Sequence, residues 1–511
     1  MPPATATAAA SDPIAPPAGP LAQLEALCDP GSFRPLRSGA VSARLGERAV
    51  PGDGVLAGAG EVEGRPVFCY SQDPAYLGGS LGEVHAETIV RLLGMAGDAG
   101  APVVGFVRSG GARLQEGHSA LAGYGRIFRA SVELSRRVPQ ISVLSGVSAG
   151  GGAYSPALTD FVVMTEEARM FLTGPQIVRE ALGEEVGMED LGGPRLHSRN
   201  GVCQVAVGDE TEAIAATRRL LALLPSAIGE PARRPGVVAA ETASRHLSVA
   251  SAGAAPTPTP DPGATVPAEP RKVYDVREVA AAVCDEGSLF ELSPRWAPNM
   301  VTALARLDGG TVGVVANQPR ALGGVIDAAA AEKAALFVAM CDRFRLPLVV
   351  LVDTPGFMPG RRQEEAGVIR HGASLLRAFA AATVPKLTVV LRKAYGGAAI
   401  TMNSRDLGAD VVFSWPGAEI GIMAARQAVG IVHRREIEAG AEGVREELAD
   451  AYAAEHLTAA RAAAAGFVDE VIEPAETRYR LAFALRAFTL RCSFAGHGTA
   501  KEQRNGWGSL Q

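Results

Sequence analysis

An α/β protein made from one domain used twice is what the 511-residue sequence predicts, on three observations. Its two halves share a series of motifs at a spacing of about 245 residues. Each half alternates short apolar runs of strand type with amphipathic runs of helix type, the signature of βαβ units. Between the halves, from Arg245 to Pro270, lies "RHLSVASAGAAPTPTPDPGATVPAEP", whose alternating prolines exclude helix and sheet and favour an extended linker.

The repeat begins with "LCDPGSF" at Leu27 to Phe33, which answers "VCDEGSLF" at Val283 to Phe290. The run from Gly60 to Val107 then parallels the run from Ala305 to Val352, with Gly78-Gly79 falling on Gly323-Gly324 and Pro102 on Pro347. Further on, "VPQISVLSGVSAGGGAYSPALTDFVVM" from Val138 parallels "VPKLTVVLRKAYGGAAITMNSRDLGADVVF" from Val384, which sets Gly150-Gly151 on Gly396-Gly397. Each copy reads as a strand, a glycine turn, and a helix ("HAETIVRLLGMAGDAG", "AEKAALFVAMCDRFR"). A buried strand, a glycine-rich loop, a second helix ("ALAGYGRIFRASVELSRR", "GVIRHGASLLRAFAAAT"), another buried strand and a second glycine turn follow. The domain reading is a tail over 1–20, an N-terminal domain over 21–235, a linker over 236–272, a C-terminal domain over 273–495 and a tail over 496–511.

Composition narrows the function classes. A formal charge of -6 gives no basic surplus for nucleic acid, and no block of Lys and Arg reverses this locally. No apolar run reaches the roughly 20 residues of a membrane-spanning helix, and the N-terminus lacks the order of a secretory signal, so the expected location is cytoplasmic. Cys28, Cys69, Cys203, Cys284, Cys341 and Cys492 form no CxxC pair and read as buried free thiols. The eight histidines form no metal-binding spacing, so no metal is expected in the mechanism.

The glycine turns are the candidates for chemistry. A strand that hands over to a helix through small residues leaves backbone N–H groups unpaired at the helix N-terminus, and an anion can then reach them. Such donors stabilise charge developing in a transition state, at about 3 kcal/mol each. Gly150-Gly151 and Gly397-Ala398 are the two candidate holes, although a turn or close helix packing is the commoner reason for a glycine pair after a strand. The loop "RSGGARLQEG" from Arg108 to Gly117 suits an anionic or carbonyl ligand but lacks the lysine of a P-loop. Its counterpart over Asp353 to Gly367 carries Arg361-Arg362, for which solvent and ligand are both open. Ser109 and Ser155 sit in no GxSxG elbow, which disfavours a Ser-His-Asp hydrolase. Glu184-Glu185 and Glu364-Glu365 read as solvated helix faces, and with no side chain standing out as acid or base the proton falls to cofactor or substrate.

The series "GGSLGEVHAETIV", "SGGARLQEG", "LAGYGRIF", "AGGGAYSPALTDFVVM", "VDTPGFMPG", "GVIRHGASLL" and "VPKLTVVLRKAYGGA" resembles the carboxyltransferase β subunit of biotin-dependent acyl-CoA carboxylases, the propionyl- and acetyl-CoA carboxylase group. The resemblance implies a duplicated crotonase-like (ClpP/crotonase) fold of two homologous ββα-superhelix domains. It also implies a hexameric core with active sites at dimer interfaces. Gly150 and Gly151 match the hole for the enolate oxygen of the acyl-CoA thioester. Gly396, Gly397 and Ala398 match the biotin side, with Gly397 and Ala398 gripping the ureido oxygen. Ser109, Gly110, Gly111, Ala112 and Arg113 match the acyl-CoA-binding loop. In the family, carboxybiotin releases carbon dioxide, the biotin anion takes the α-proton of the acyl-CoA, and the enolate attacks the carbon dioxide. Two oxyanions in one site account for two holes and no side-chain base.

The chain carries no "AMKM"-like biotin attachment site, so the resemblance implies biotin delivered by a biotin carboxylase/biotin carrier α subunit, with a coenzyme A thioester as substrate and no metal. Ile400 stands where an aspartate accompanies propionyl-CoA, and isoleucine resembles members that also accept acetyl-CoA, so malonyl-CoA and methylmalonyl-CoA are both expected products. Arg108 replaces the usual aspartate, which points to altered CoA or partner recognition, and Gln204 replaces a histidine. These departures leave room for a specialised carboxylase making an unusual extender unit for fatty-acid or polyketide synthesis. A biotin-dependent decarboxylase subunit and a silent scaffold are the competing readings.

Overall fold

The computed structural model describes residues 19–228, 260–269, 272–440 and 443–495, with side chains to 488. Residues 1–18 of the expected N-terminal tail, most of the linker and the expected C-terminal tail lie outside the described residues, and Pro20, expected in the tail, opens the helix Pro20–Leu27. The chain divides into two compact units, Met1–Ala222 and Leu223–Gln511.

Unit 1 is built on β1 (Arg34–Leu36), β2 (Val55–Val62), β3 (Arg65–Gln72), β4 (Val103–Ser109), β5 (Gln140–Ala149), β6 (Phe161–Thr165), β7 (Arg169–Phe171) and β8 (Val205–Val207). The order across the sheet is β1-β2-β3-β4-β5-β6-β8. The pairs β1–β2 and β2–β3 are antiparallel, and all later pairs are parallel. The parallel strands are buried runs, as expected where helices Glu83–Ala99 and His118–Leu134 make the crossovers.

Unit 2 repeats this plan with β9 (Phe290–Leu292), β10 (Met300–Leu307), β11 (Gly310–Asn317), β12 (Leu348–Thr354), β13 (Lys386–Tyr395), β14 (Val411–Ser414), β15 (Glu419–Gly421) and β16 (Glu470–Val471), in the order β9-β10-β11-β12-β13-β14-β16. Its core packs Val301, Val349, Leu387, Phe413, Trp415 and Leu481. In both units the sheet loosens at the same point. The β4–β5 register shifts between Val107 and Ser109, and the β12–β13 register between Val352 and Thr354. Past the shift, the last residues of β5 turn from β6 to β7 and those of β13 from β14 to β15, while Ser148 still pairs with Ser109 and Ala394 with Thr354, so the strand that carries each glycine turn changes one neighbour before it ends.

The paired motifs that reveal the repeat have a shared structural job. β2 and β3 join through Glu63-Gly64, and β10 and β11 through Asp308-Gly309, all at positive φ as a type I′ hairpin requires. Asp29 accepts the Glu63 and Gly64 N–H groups and pairs with Arg218 at 2.9 Å; Asp285 accepts those of Asp308 and Gly309 and pairs with Arg478. Burial raises the Asp285 pKa, but the Arg478 bond and the two turn amides outweigh it and hold the pKa below the usual carboxylate range. A depressed folded pKa contributes stability that is present above the unfolded value and lost as pH falls through the folded one. Asp285→Asn is therefore expected to cost about 1 to 2 kcal/mol at neutral pH and nothing in strong acid. Urea unfolding of both proteins from pH 7 down to about pH 3 checks this through converging midpoints.

Two expectations change here. The end of the expected linker is folded onto unit 2: Asp261 caps the turn Pro262–Thr265, and Arg392 donates to the carbonyls of Lys272 and Glu269. Glu184-Glu185 is exposed but not helical, because the helix Pro175–Leu182 ends at Gly183 in the left-handed region. Cys28, Cys69, Cys203, Cys284 and Cys341 are buried and free, while the Cys492 side chain lies outside those described. Among the described residues no helix is long and apolar enough to cross a membrane.

Candidate active site

The two glycine turns occupy equivalent places, each between the strand that changes neighbour and a short helix. In unit 1 Gly150 precedes the helix Gly151–Ala157; in unit 2 the helix is Gly396–Thr401. Gly150 at φ 59 and Gly396 at φ 58 make the same left-handed step, which disfavours any side chain there. The structural equivalents of Gly397 and Ala398 are thus Gly151 and Gly152. The Gly150 N–H donates to the Phe171 carbonyl at 3.1 Å through the extension of β7. This corrects the unit 1 pair: Gly150 shapes the turn with its amide already committed, whereas the amides of Gly151 and Gly152 have no acceptor among the described residues.

The amides of Gly397 and Ala398 likewise have no acceptor among the described residues. Gly397 is exposed and Ala398 is wholly buried, so Gly397 is the accessible donor of the pair. The reason for glycine differs between the units. A Cβ on Gly151 would lie 2.7 to 2.9 Å from three ring carbons of Tyr124, so packing alone demands glycine there. A Cβ on Gly397 would meet only the Phe357 ring, at 3.9 Å, and its backbone is helical without a positive φ. Within this chain, neither packing against the described residues nor backbone strain requires glycine at 397.

Beside each turn lies the loop of the preceding strand. In unit 1 the Gly110 N–H goes to the Gly78 carbonyl, the Gly111 N–H to Ser109 Oγ and the Arg113 N–H to the Leu81 carbonyl. Of residues 110 to 113, Ala112 alone keeps an amide without an acceptor among the described residues. Unit 2 reproduces this: Gly356 donates to Thr354 Oγ1 and Met358 to the Ile326 carbonyl, and Phe357 keeps its amide unpaired among the described residues. Sequence reading includes Ala112 in a ligand loop but finds no role for Phe357; the bridges Leu81–Ala112 and Ile326–Phe357 that single these amides out are long-range pairings.

Several candidate side chains are held by partners within the chain. Arg113 has no exposed side-chain surface; its Nη1 donates to Asp53 at 2.6 Å and Glu116 at 2.8 Å, and its Nη2 to the carbonyls of Ser80 and Asp53. Glu116 in turn accepts the Glu83 N–H, so Arg113 clamps the loop from beneath and does not bind acyl-CoA through its side chain. Asp53 also accepts the His85 N–H, and burial pushes the His85 imidazole down to about 3, so that ring stays neutral in the same buried network. Ser109 is buried, with Oγ bonded to the Tyr124 hydroxyl at 2.9 Å and no histidine among its partners. Arg361 forms an exposed pair with Glu365 at 2.7 Å, a solvated helix contact.

The two departures from the family pattern are accommodated locally. Arg108 turns inward to Ser145 and to Glu210 at 3.1 Å, and its stem lies over Gly146. In unit 2 the polarity is inverted: Asp353 occupies the equivalent strand position and pairs with Arg392 at 3.1 Å, with the Tyr274 hydroxyl on the same carboxylate. Gln204 bonds the Val162 N–H and the Gly201 carbonyl, tying the turn before β8 to β6. Ile400 lies one residue beyond Ala399 on the short helix and is 53% exposed; Tyr154 holds the equivalent place in unit 1 and is 51% exposed.

The pattern of the carboxyl transferase domain family matches residues 20–494. The chain is 46% identical over 445 residues to the propionyl-CoA carboxylase carboxyltransferase subunit of Haloferax mediterranei, covering 86% of this chain and 83% of that one. It is 43% identical over 434 residues to the methylmalonyl-CoA decarboxylase subunit alpha of Veillonella parvula, covering 84% and 81%. A transcarboxylase 12S crystal structure, a hexamer with methylmalonyl-coenzyme A and methylmalonic acid bound, superposes with a TM-score of 0.85 at 42% identity, covering 95% of this chain and 91% of that one. The duplicated sheets, the paired turns and these relatives agree, and the chain belongs to the carboxyl transferase family, within the biotin-dependent acyl-CoA carboxyltransferases.

Proposed function

We propose that this chain carboxylates the α-carbon of a short acyl-CoA, taking the carboxyl group from biotin carried by a separate biotin carboxylase/biotin carrier α subunit within a hexameric assembly. One observation carries the reading: in both units the glycine turn and the loop before it each keep an amide with no acceptor among the described residues, Gly151 and Ala112 in unit 1, Gly397 and Phe357 in unit 2. Two such pairs suit a reaction in which two oxygens gain charge.

The unit 1 pair is assigned to the thioester oxygen. Its amides, fixed by the buried Arg113 clamp below and the Phe171 anchor behind, would stabilise the enolate without reorganising. The unit 2 pair is assigned to the ureido oxygen of biotin, and the bare Gly397 fits a flat ring edge arriving at the backbone. When bound, biotin supplies the carboxyl group and, once relieved of it, the base for the α-proton. No side chain of the chain needs to hold that proton, in keeping with the hydrogen-bonded, structural roles of Ser109, His85 and Arg113.

Ile400 is the proposed selector of acyl length. An exposed apolar side chain beside the turn leaves the pocket wall without a charge, and one methylene is worth about 1 to 3 kcal/mol in such a wall. Wild type is expected to use acetyl-CoA along with propionyl-CoA or longer chains, and Ile400→Asp to lower kcat/KM for acetyl-CoA relative to propionyl-CoA about 10-fold. Measured kcat/KM values across the acyl series decide this; an unchanged ranking removes Ile400 from the assignment. Decarboxylation uses the same amides in reverse, and a 43% identical decarboxylase subunit keeps that direction as the second reading. Demand for a membrane partner to turn over a carboxylated thioester would favour it.

A further inference from the structure

The two glycine turns stand on different floors. In unit 1 the floor is Tyr124, from the helix His118–Leu134, whose ring lies directly under Gly151. That ring is the first of a run of three: Tyr124 to Phe128 at 5.7 Å between centroids, and Phe128 edge-on to Tyr154 at 6.1 Å and 76°. The Tyr124 hydroxyl shares a 2.9 Å hydrogen bond with Ser109 Oγ, and Ser109 Oγ accepts the Gly111 N–H at 3.2 Å. One side chain thus touches both halves of the amide pair, the helix turn through its ring and the Ser109–Ala112 loop through its hydroxyl.

Unit 2 solves the same problem without a tether. Its helix Val368–Ala381 has Gly372 facing the loop, and the ring comes from the loop itself as Phe357, which a Cβ on Gly372 would meet at 3.3 Å. Phe357 has no hydroxyl, and Thr354 Oγ1 accepts the Gly356 N–H without a side-chain partner from the helix Val368–Ala381 among the described residues. The aromatic floor has changed elements between the copies, and among the described residues only the unit 1 version has a polar link to its loop.

We infer that Tyr124 is a positioning residue of the unit 1 site, its ring setting the height of the Gly151 amide and its hydroxyl, through Ser109, fixing the Ala112 amide opposite. The inference rests on the reading that this pair receives the thioester oxygen. Burial pushes the Tyr124 phenol up to about 12, so it stays protonated at neutral pH and keeps its hydrogen bond to Ser109. Its effect should be independent of pH.

The test uses the assembled enzyme with its biotin-bearing partner and compares wild type, Tyr124→Phe, Ser109→Ala and the double variant. Tyr124→Phe keeps the ring under Gly151, so an unchanged melting temperature is expected. The expected kinetic result is a loss of about 10-fold in kcat with KM for acyl-CoA within about 2-fold, constant from about pH 6 to 9. Ser109→Ala, which also frees the Gly111 N–H, should lose at least as much, and the double variant no more than Ser109→Ala alone, because either substitution removes the shared Tyr124–Ser109 bond. A wild-type kcat in Tyr124→Phe, or losses that multiply in the double variant, would overturn the positioning role. Failure of wild type itself to transfer a carboxyl group to any acyl-CoA would instead overturn the functional reading, and this inference with it.

Discussion

Gly397→Ala is expected to cut carboxyl transfer about 100-fold or more while leaving the protein as stable as wild type or slightly more so. The added methyl meets only the Phe357 ring at 3.9 Å and sits on helical backbone, so the fold accepts it. Alanine in place of glycine inside a helix is worth up to about 1 kcal/mol in stability. Gly397 is exposed, and the added methyl is expected to crowd the approach of a ligand oxygen to its amide. Loss of one such donor costs about 10²- to 10³-fold in rate. Gly151→Ala makes the contrast, since its methyl would strike Tyr124 and lower stability and activity together. Thermal melts and steady-state rates on the two variants separate these outcomes. A destabilised Gly397→Ala, or one with full activity, would mean that this glycine serves packing after all.

Arg113→Met is expected to destabilise unit 1 by about 3 to 5 kcal/mol, because it leaves the carboxylates of Asp53 and Glu116 buried without their cation. Burial already pushes the Asp53 carboxyl up against the pull of Arg113, so losing the cation would favour uptake of a proton. Arg113→Lys keeps a charge but not the planar fork that reaches Asp53, Glu116 and two carbonyls, and should fall between Met and wild type. Urea titrations measure the effect. Full stability combined with a raised KM for acyl-CoA would restore Arg113 as a ligand contact.

The sequence repeat disclosed most of the fold because both copies retain the same strand and helix periods, and even the polar motif around Asp29 and Asp285 does one job twice. The antiparallel β10–β11 hairpin was also within reach, since Asp308-Gly309 is a strong two-residue turn signal. What spacing could not convey is which backbone groups tertiary pairing consumes. Gly150 looks as free as Gly151 until β7 arrives from a later part of the chain and takes its amide. Arg113 looks like an anion grip beside two glycines until Asp53, far earlier in sequence, is found against it. Tyr124 belongs to a motif that identifies the family, yet its place beneath Gly151 appears only when helix and turn are packed. In each case a local pattern located the turn, and a long-range contact decided what the turn exposes.

The central claim is that this chain moves a carboxyl group between biotin and an acyl-CoA. Its most direct test is mass spectrometry of the thioester products when the purified chain is combined with its biotin-bearing partner, ATP, bicarbonate and a panel of acyl-CoAs. The expected result is a carboxylated product from acetyl-CoA and from propionyl-CoA or longer chains, abolished by leaving out the partner. No carboxylated thioester from any member of the panel, with the cognate partner present and itself carboxylated, would contradict the account.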